Sequence, residues 1–233
     1  MTNSPKSLSV IFDAERAEAY DTQFPAMHAL KDAVYLLLQV QFATLPENAR
    51  ILVAGAGTGA EVRMLAQHYP GWHFTLVDPA EAMLAVARRH AEAEGFADRC
   101  TFYADYVSAT PTVAHDAATS LLVSHFLMEP SARQAFFADI AARLKPGGRL
   151  FTLDLCTDNR AASFDAVMGL WLDLLRRSGV PEDGIARYTE SYGRDFAAHS
   201  PAELHALIVA AGFAPPAPVF QAALMRGCVT MRA

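Results

Sequence analysis

Residues 51–62 read ILVAGAGTGAEV: three apolar residues run into a turn carrying Gly55, Gly57 and Gly59, and Glu61 and Val62 stand just beyond it. The pattern predicts a short buried strand, a tight turn and the start of a helix. Missing side chains in such a turn let a ligand come close to the backbone. Gly55, Gly57 and Ala60 also satisfy G-x-G-x-x-G/A, the dinucleotide fingerprint. The stretch alone therefore leaves open whether the ligand is a nicotinamide cofactor or another adenosyl compound.

Outward from this turn the chain alternates. The spacing predicts a helix over 60–69, a strand over 72–77, a helix over 79–94 ended by Gly95, and a strand over 101–104. It continues with a strand over 117–123, a helix over 131–144, the turn Lys145-Pro146-Gly147-Gly148 and a strand over 149–155. Strands alternating with helices of this length predict βαβ units and a doubly wound α/β domain on a parallel sheet. Before the first strand, residues 9–45 carry helical periodicity through Phe12, Ala19, Tyr20, Leu30, Val34, Leu37 and Leu38, interrupted at Pro25. After the fifth strand come a helical stretch over 164–177 and a polar loop over 178–198. A last helix is opened by the capping box Ser200-Pro201-Ala202-Glu203 and stopped by Gly212. Two β-like runs, 218–224 and 228–231, joined by Met225, Arg226 and Gly227, predict an antiparallel hairpin.

The bulk numbers narrow the class. A chain of 233 residues with 52% hydrophobic composition fits one large domain, or a domain with a small cap, with a real core. A net charge of −6 without a block of like charges supplies no basic stripe, so no direct nucleic-acid partner is expected. The N-terminus lacks the pattern of a signal peptide, and the most apolar run, 33–45, is too short to span a bilayer. A cytoplasmic protein without membrane attachment is expected. Cys100, Cys156 and Cys228 are isolated and odd in number, so neither a disulfide frame nor a metal site is suggested.

In a parallel sheet, ligands gather beyond the carboxyl ends of the strands where the winding reverses. Strand two ends at Asp78, about 20 residues beyond the glycines, the spacing at which an acid can accept from both ribose hydroxyls. Its alternative is a strand-end cap for 80–83. Strand three ends at Asp105 and Tyr106, strand four at residues 122–125, and strand five at Asp154. An acid after strand three suits an adenine amine; its alternative is a solvated loop acid.

With these residues in place the chain resembles the class I S-adenosylmethionine-dependent methyltransferases over nearly its whole length. The resemblance rests on ILVAGAGTGAEV, FTLVDPAEAML, FYADYV and RLKPGGRLFTLDL, with the terminal hairpin similar to that family's reversed seventh strand. The Lys-Pro-Gly-Gly turn and the hairpin together set a dehydrogenase aside. The resemblance implies a seven-stranded Rossmann-like sheet, mostly parallel, with an antiparallel C-terminal hairpin and N-terminal helices. It implies one domain over 1–233: a helical prelude (1–48), a cofactor-binding core (49–156), a helical insertion (157–199) and the last helix and hairpin (200–233). It implies S-adenosyl-L-methionine as cofactor, with Gly55, Ala56 and Gly57 against its methionine part and Asp78 on the ribose. Pro79 and Met83 would lie by the adenine, Asp105 and the Tyr106 backbone on its edge, and Leu122 near the methionine moiety.

A narrower likeness joins FDAERAEAYDTQFPAM, MEPSARQAFFADIAARLKPGG and SPAELHALIVAAGFAPPAPVFQAALMRG to the carboxy-S-adenosylmethionine synthases. That family holds a carboxylate with an arginine before the last helix, where this chain offers Arg187 and Arg194. The glycine motif departs from it, GAGTG replacing a cysteine and a serine after the glycine. The reading is thus a methyltransferase of that subgroup, with the synthase and a non-catalytic cofactor-binding module as alternatives.

Methyl transfer needs alignment above all, and a base only where the nucleophile must lose a proton. His125, just past strand four, is the candidate base, and His28 a second. Tyr20 and Tyr192 are placed for a lid or for core packing. The small-molecule acceptor pocket is expected from the prelude and residues 164–198. There Phe164, Met168, Trp171 and Phe196 offer apolar walls, and Arg176, Arg177, Arg187 and Arg194 offer charge for an anionic acceptor. Equally, Trp171, Leu172 and Leu175 are spaced as a core-seeking helix face with Arg176 and Arg177 on its solvated side. The apolar helix over 33–45 and the hairpin edge would suit a homodimer.

Overall fold

The computed structural model describes residues 17–18, 24–197 and 199–233. Phe12, Ala19 and Tyr20, and with them most of the predicted first part of the prelude, lie outside the described residues. Among the described residues seven strands form one sheet: β1 (Arg50–Ala54), β2 (His73–Val77), β3 (Cys100–Tyr103), β4 (His115–Leu121), β5 (Leu144–Leu155), β6 (Ala217–Ala222) and β7 (Met225–Met231). Their order is β3-β2-β1-β4-β5-β7-β6. The first five pair in parallel, while β7 runs antiparallel to both β5 and β6. The winding reverses between β1 and β4, which pair directly with Leu52 opposite Ala118.

Helices cover both faces: α1 (His28–Phe42), α2 (Ala60–His68), α3 (Glu81–Ala93), α4 (Pro130–Ala142), α5 (Phe164–Arg177), α6 (Glu182–Ser191) and α7 (Pro201–Ala210). The two-residue period of β1 divides its buried side chains between two cores. Ile51 and Val53 join Val34, Leu38 and Phe42 of α1 and Leu65 of α2. Leu52 and Ala54 join Phe137 and Ile140 of α4 and Leu204 and Ile208 of α7. After the exposed Arg50 at its start the strand is apolar, because both faces are covered.

The predicted elements recur with small shifts at their ends, and three departures have local causes. The stretch over 178–198, read as loop, contains α6. Its sequence EDGIARYTES buries only Ile185, so little apolar periodicity marks it; the helix carries Glu182 and Asp183 in its first turn and an Asp183–Arg187 pair four residues apart. The Lys145–Gly148 turn lies inside the span of β5, where Leu144 already pairs with His115 across a register break. It is stitched to the chain end, Gly147 N–H donating to Arg232 O and Arg232 N–H to Gly148 O at 2.8 Å. Finally β7 begins at Met225, so the residues read as a connector are strand. Gly227 marks a close approach there: a Cβ on it would lie 3.1 Å from Phe220 Cβ. The reversal falls instead on Ala223 and Leu224, with Ala223 at φ 49°.

The capping box of α7 is present: Ser200 Oγ accepts from Glu203 N–H, and Glu203 Oε2 accepts from Ser200 N–H at 2.8 Å. Ser200→Ala should lower stability by about 1 kcal/mol, measured by urea unfolding, and Ser200→Asp should restore most of it.

Candidate functional site

A cavity of about 790 Å³ opens at the switch point between β1 and β4, within the range of small-molecule sites. Its floor is the glycine turn. Gly55 stands at φ +78°, and a Cβ on it would fall 2.2 Å from Val123 Cγ2, so no side chain is possible there without moving the end of β4. Gly57 stands at φ +52°; a Cβ on it would meet Met83 Cε at 3.4 Å. Asp78 braces this turn. Its Oδ2 accepts from Gly57 N–H and its Oδ1 from Ala80 N–H, each at 2.9 Å. Each oxygen keeps a second lone pair, and the residue lines the cavity. Burial pushes the Asp78 carboxyl up, against the lowering effect of the Ala80 and Gly57 amides. The capping and the ligand-facing readings of Asp78 are therefore compatible.

Six of the nine residues expected at a cofactor line this cavity: Gly55, Gly57, Asp78, Pro79, Met83 and Leu122. Leu122 closes β4 at φ 59°, a left-handed conformation that is strained for a leucine, and its N–H donates to Leu153 O at 2.7 Å. Ala56 does not line it; the residue is buried, and its N–H donates to Val77 O at 3.0 Å. Asp105 and Tyr106 stand outside the lining, both exposed, and Asp105 Oδ1 accepts from Tyr106 N–H at 2.7 Å. The Tyr106 amide is thus engaged by the neighbouring carboxylate.

His125 lies on a 3₁₀ turn, Ser124–Phe126, directly after β4, and it too lines the cavity. Its Nδ1 edge is buried, 3.6 Å from Asp154 Oδ1 at the end of β5. Behind it lies a fully buried polar group. Asp154 accepts from Ser124 Oγ at 2.8 Å and Thr152 Oγ1 at 3.1 Å, with Arg133 Nη2 at 3.3 Å. Arg133 also donates to Ser124 Oγ at 2.9 Å and to His199 Nδ1 at 3.1 Å. Burial raises the Asp154 carboxyl, but Arg133, His125 and Ser124 outweigh it and hold it below the usual range. Burial dominates at His125 and lowers its imidazole, against the opposing pull of Asp154. The result is an ionised carboxylate behind a neutral imidazole.

The other walls come from α1, α5, α6 and the segments around them. Of the apolar candidates Trp171 and Phe196 line the cavity, whereas Phe164 and Met168 do not. Of the arginines only Arg187 lines it, with Nη1 donating to Asp183 Oδ2 at 2.6 Å. Arg176 pairs outside with Asp173 and Glu182, and Arg194 with Asp195; Arg177 is exposed and does not line it. Arg176 and Arg177 thus take the solvated reading, and Arg194 lies outside the cavity it was expected to line. Tyr192 packs against Phe164 and Phe196, and His28 lines a separate shallow hollow. Sequence reasoning missed Lys31, which lines both spaces, and Arg133. The signal for Arg133 was its place on the buried stripe Arg133, Phe137, Ile140 of α4.

Among the described residues no group of three His, Cys, Asp or Glu side chains is placed to hold a metal ion, and no helix is long and apolar enough to cross a membrane. Residues 51–148, from β1 to the turn inside β5, match the family described as a methyltransferase domain. The residues present fit the S-adenosylmethionine that the sequence resemblance implies: side-chain-free positions at Gly55 and Gly57 and a carboxylate at Asp78 face one cavity. The chain is 31% identical over 157 residues to the release factor glutamine methyltransferase of Chlorobaculum tepidum, covering 65% of this chain and 52% of that protein. It is 30% identical to the trans-aconitate 2-methyltransferase of Delftia acidovorans, covering 59% and 48%. The chain thus spans about half the length of these curated relatives. Among solved structures it is similar in fold to an O-methyltransferase family protein of Burkholderia thailandensis, with a TM-score of 0.67, 14% identity, and coverage of 99% of this chain and 65% of that one.

Gly55→Ala should cost about 1–3 kcal/mol through the clash with Val123, and more through the positive φ, measured by thermal and urea unfolding. Val123→Ala should recover part of the loss, because the clash is with its two methyl groups.

Proposed function

We propose that this chain is an S-adenosylmethionine-dependent methyltransferase acting on a small-molecule acceptor, and that it works as one domain. The observation that carries the reading is a single cavity with two kinds of wall: the glycine turn and Asp78 on one side, and the ring-rich insertion on the other. Gly55, Gly57 and Leu122 would flank the methionine part of the cofactor, Asp78 its ribose, and Pro79 and Met83 its adenine. Ala56, Asp105 and Tyr106, outside the lining, have a weaker claim. Bound there, the cofactor supplies a methyl group already activated by a sulfonium.

His125 is the candidate general base. A neutral imidazole with a carboxylate at its buried edge is oriented to take a proton from an acceptor in the cavity. The carboxylated-cofactor alternative would lean on Arg187, whose guanidinium is engaged by Asp183, since Arg194 lies outside the cavity. A homodimer would use Leu36 and Val40, which α1 leaves exposed. A cytoplasmic location belongs to the same proposal.

Two measurements test this. Calorimetric titration should show saturable binding of S-adenosylmethionine that Asp78→Ala weakens about tenfold or more, the worth of a lost charge-assisted hydrogen bond; binding of a nicotinamide dinucleotide instead would overturn the reading. Because the base must be neutral, and burial depresses its pKa, kcat should stay level as pH falls to the ordinary histidine value of about 6.5 and drop only below it. His125→Ala should lower kcat by roughly 10²–10⁴ with cofactor affinity unchanged.

A further inference from the structure

The acceptor side of the cavity has a specific make-up. Trp171 Nε1 donates to the Tyr188 hydroxyl at 2.6 Å. Tyr188 meets Phe196 edge-on at a centroid separation of 5.0 Å, and Phe196 meets His125 edge-on at 6.2 Å. His125 lies 4.4 Å from Phe126. All five rings line the cavity and follow one another without a break. Edge-to-face arrays of this kind present flat apolar faces and favour flat apolar partners.

Charge on these walls is sparse. The charged lining residues are Lys31, Asp78 and Arg187. Asp78 holds two amides of the cofactor turn, and Arg187 is turned to Asp183. An anionic acceptor drawn among the five rings would lose its water with little in return, which is costly. Burial also pushes the Tyr188 phenol well up, so it stays neutral and is already an acceptor for Trp171. That leaves His125 as the proton-handling group within the ring wall, its Nδ1 edge on Asp154 and the residue lining the cavity.

Resting on the methyltransferase reading above, we propose that the acceptor is an uncharged, flat ring system bearing a ring hydroxyl, phenolic or enolic, and that it is methylated on that oxygen. The reasoning is one of matched acidity. A phenol ionises near pH 10, within a few units of an imidazole, so its proton transfers at a far smaller cost than that of an aliphatic alcohol, and a neutral amine needs no base. The hydroxyl proton passes to the imidazole of His125, and an oxygen electron pair forms the bond to the methyl carbon. The carbon–sulfur bond breaks with its pair left on sulfur, giving a methyl ether, S-adenosylhomocysteine and a proton that His125 returns to water.

The chain has two tryptophans, and they report separately. Trp171 lines the cavity, while Trp72 is buried and stacked on Tyr69 at 3.8 Å. Tryptophan emission of the cofactor-free protein is therefore titrated with 2-naphthol, 2-naphthylamine and 2-naphthoate, isosteres that differ only in the substituent, with Trp171→Phe identifying the cavity signal. The expected result is saturable quenching by 2-naphthol at about tenfold lower concentration than by 2-naphthoate, and loss of most of that preference in His125→Gln. With S-adenosylmethionine added, 2-naphthol but not 2-naphthylamine should be methylated. Tighter binding of the naphthoate, methylation of the amine, or no quenching by any of the three would overturn the proposal. Calorimetry with S-adenosylmethionine on the same sample separates the two levels: cofactor binding with naphthoate preferred leaves the methyltransferase reading standing and removes this one, whereas naphthol binding without cofactor binding removes the methyltransferase reading and the methylation step with it, leaving only the ring-binding preference of the cavity.

Discussion

The site depends on how close the ends of β1 and β4 can come. Val123 occupies the space that any side chain at residue 55 would need, within 2.2 Å of a would-be Cβ. The absence of a side chain lets the glycine turn lie against Val123, beside Leu122 at its positive φ, where the chain turns into the 3₁₀ segment bearing His125. The backbone on which a cofactor would rest and the imidazole that would face an acceptor are thereby set by one steric relation. Asp78 completes it from β2 by tying Gly57 and Ala80 with its two oxygens. Three neighbouring strand ends thus form one rigid edge.

Beneath that edge, charge is buried where the fold has least water. Arg133, Asp154, Ser124 and His125 are each 4% exposed or less, an arrangement that is costly unless every member is paired. Here Asp154 has three partners besides His125, and Arg133 reaches both Asp154 and His199. A buried pair of this kind is poor evidence for stability but good evidence for orientation, because its members have few alternative positions. Its effect on His125 is to fix which ring edge faces inward.

Much of the sheet was legible in the sequence because its signals are local: apolar triplets, glycine turns and a capping box each declare themselves within a few residues. Asp78 was legible by its spacing from the glycines. What the sequence hid were relations between distant segments. Asp105 looked as eligible as Asp78, yet it stands exposed beside Tyr106, and nothing local to FYADYV distinguishes the two cases. Helix α6 was hidden because it buries so little of its own surface. Arg176, Arg187 and Arg194 were indistinguishable until their acidic partners were seen, and Arg133 was overlooked because an arginine amid apolar residues is ordinarily a surface residue.

The excursion over residues 157–199 leaves the sheet just after Asp154 and comes back at His199, and both of those residues bond to Arg133. On its return Ala197 N–H also donates to the carbonyl of His125 at 2.8 Å. The two ends of the segment are thus clamped at a single point, and the cost of closing such a loop grows only slowly with its length. Between these ends the helices reach the sheet through Met168, Trp171, Leu175 and Ile185, which share one buried cluster with Ile51, Val53, Phe151 and Leu153. The segment is thus held twice, by polar bonds at its two ends and by apolar packing between them, so its shape and that of the cavity wall it forms follow from the sheet beneath.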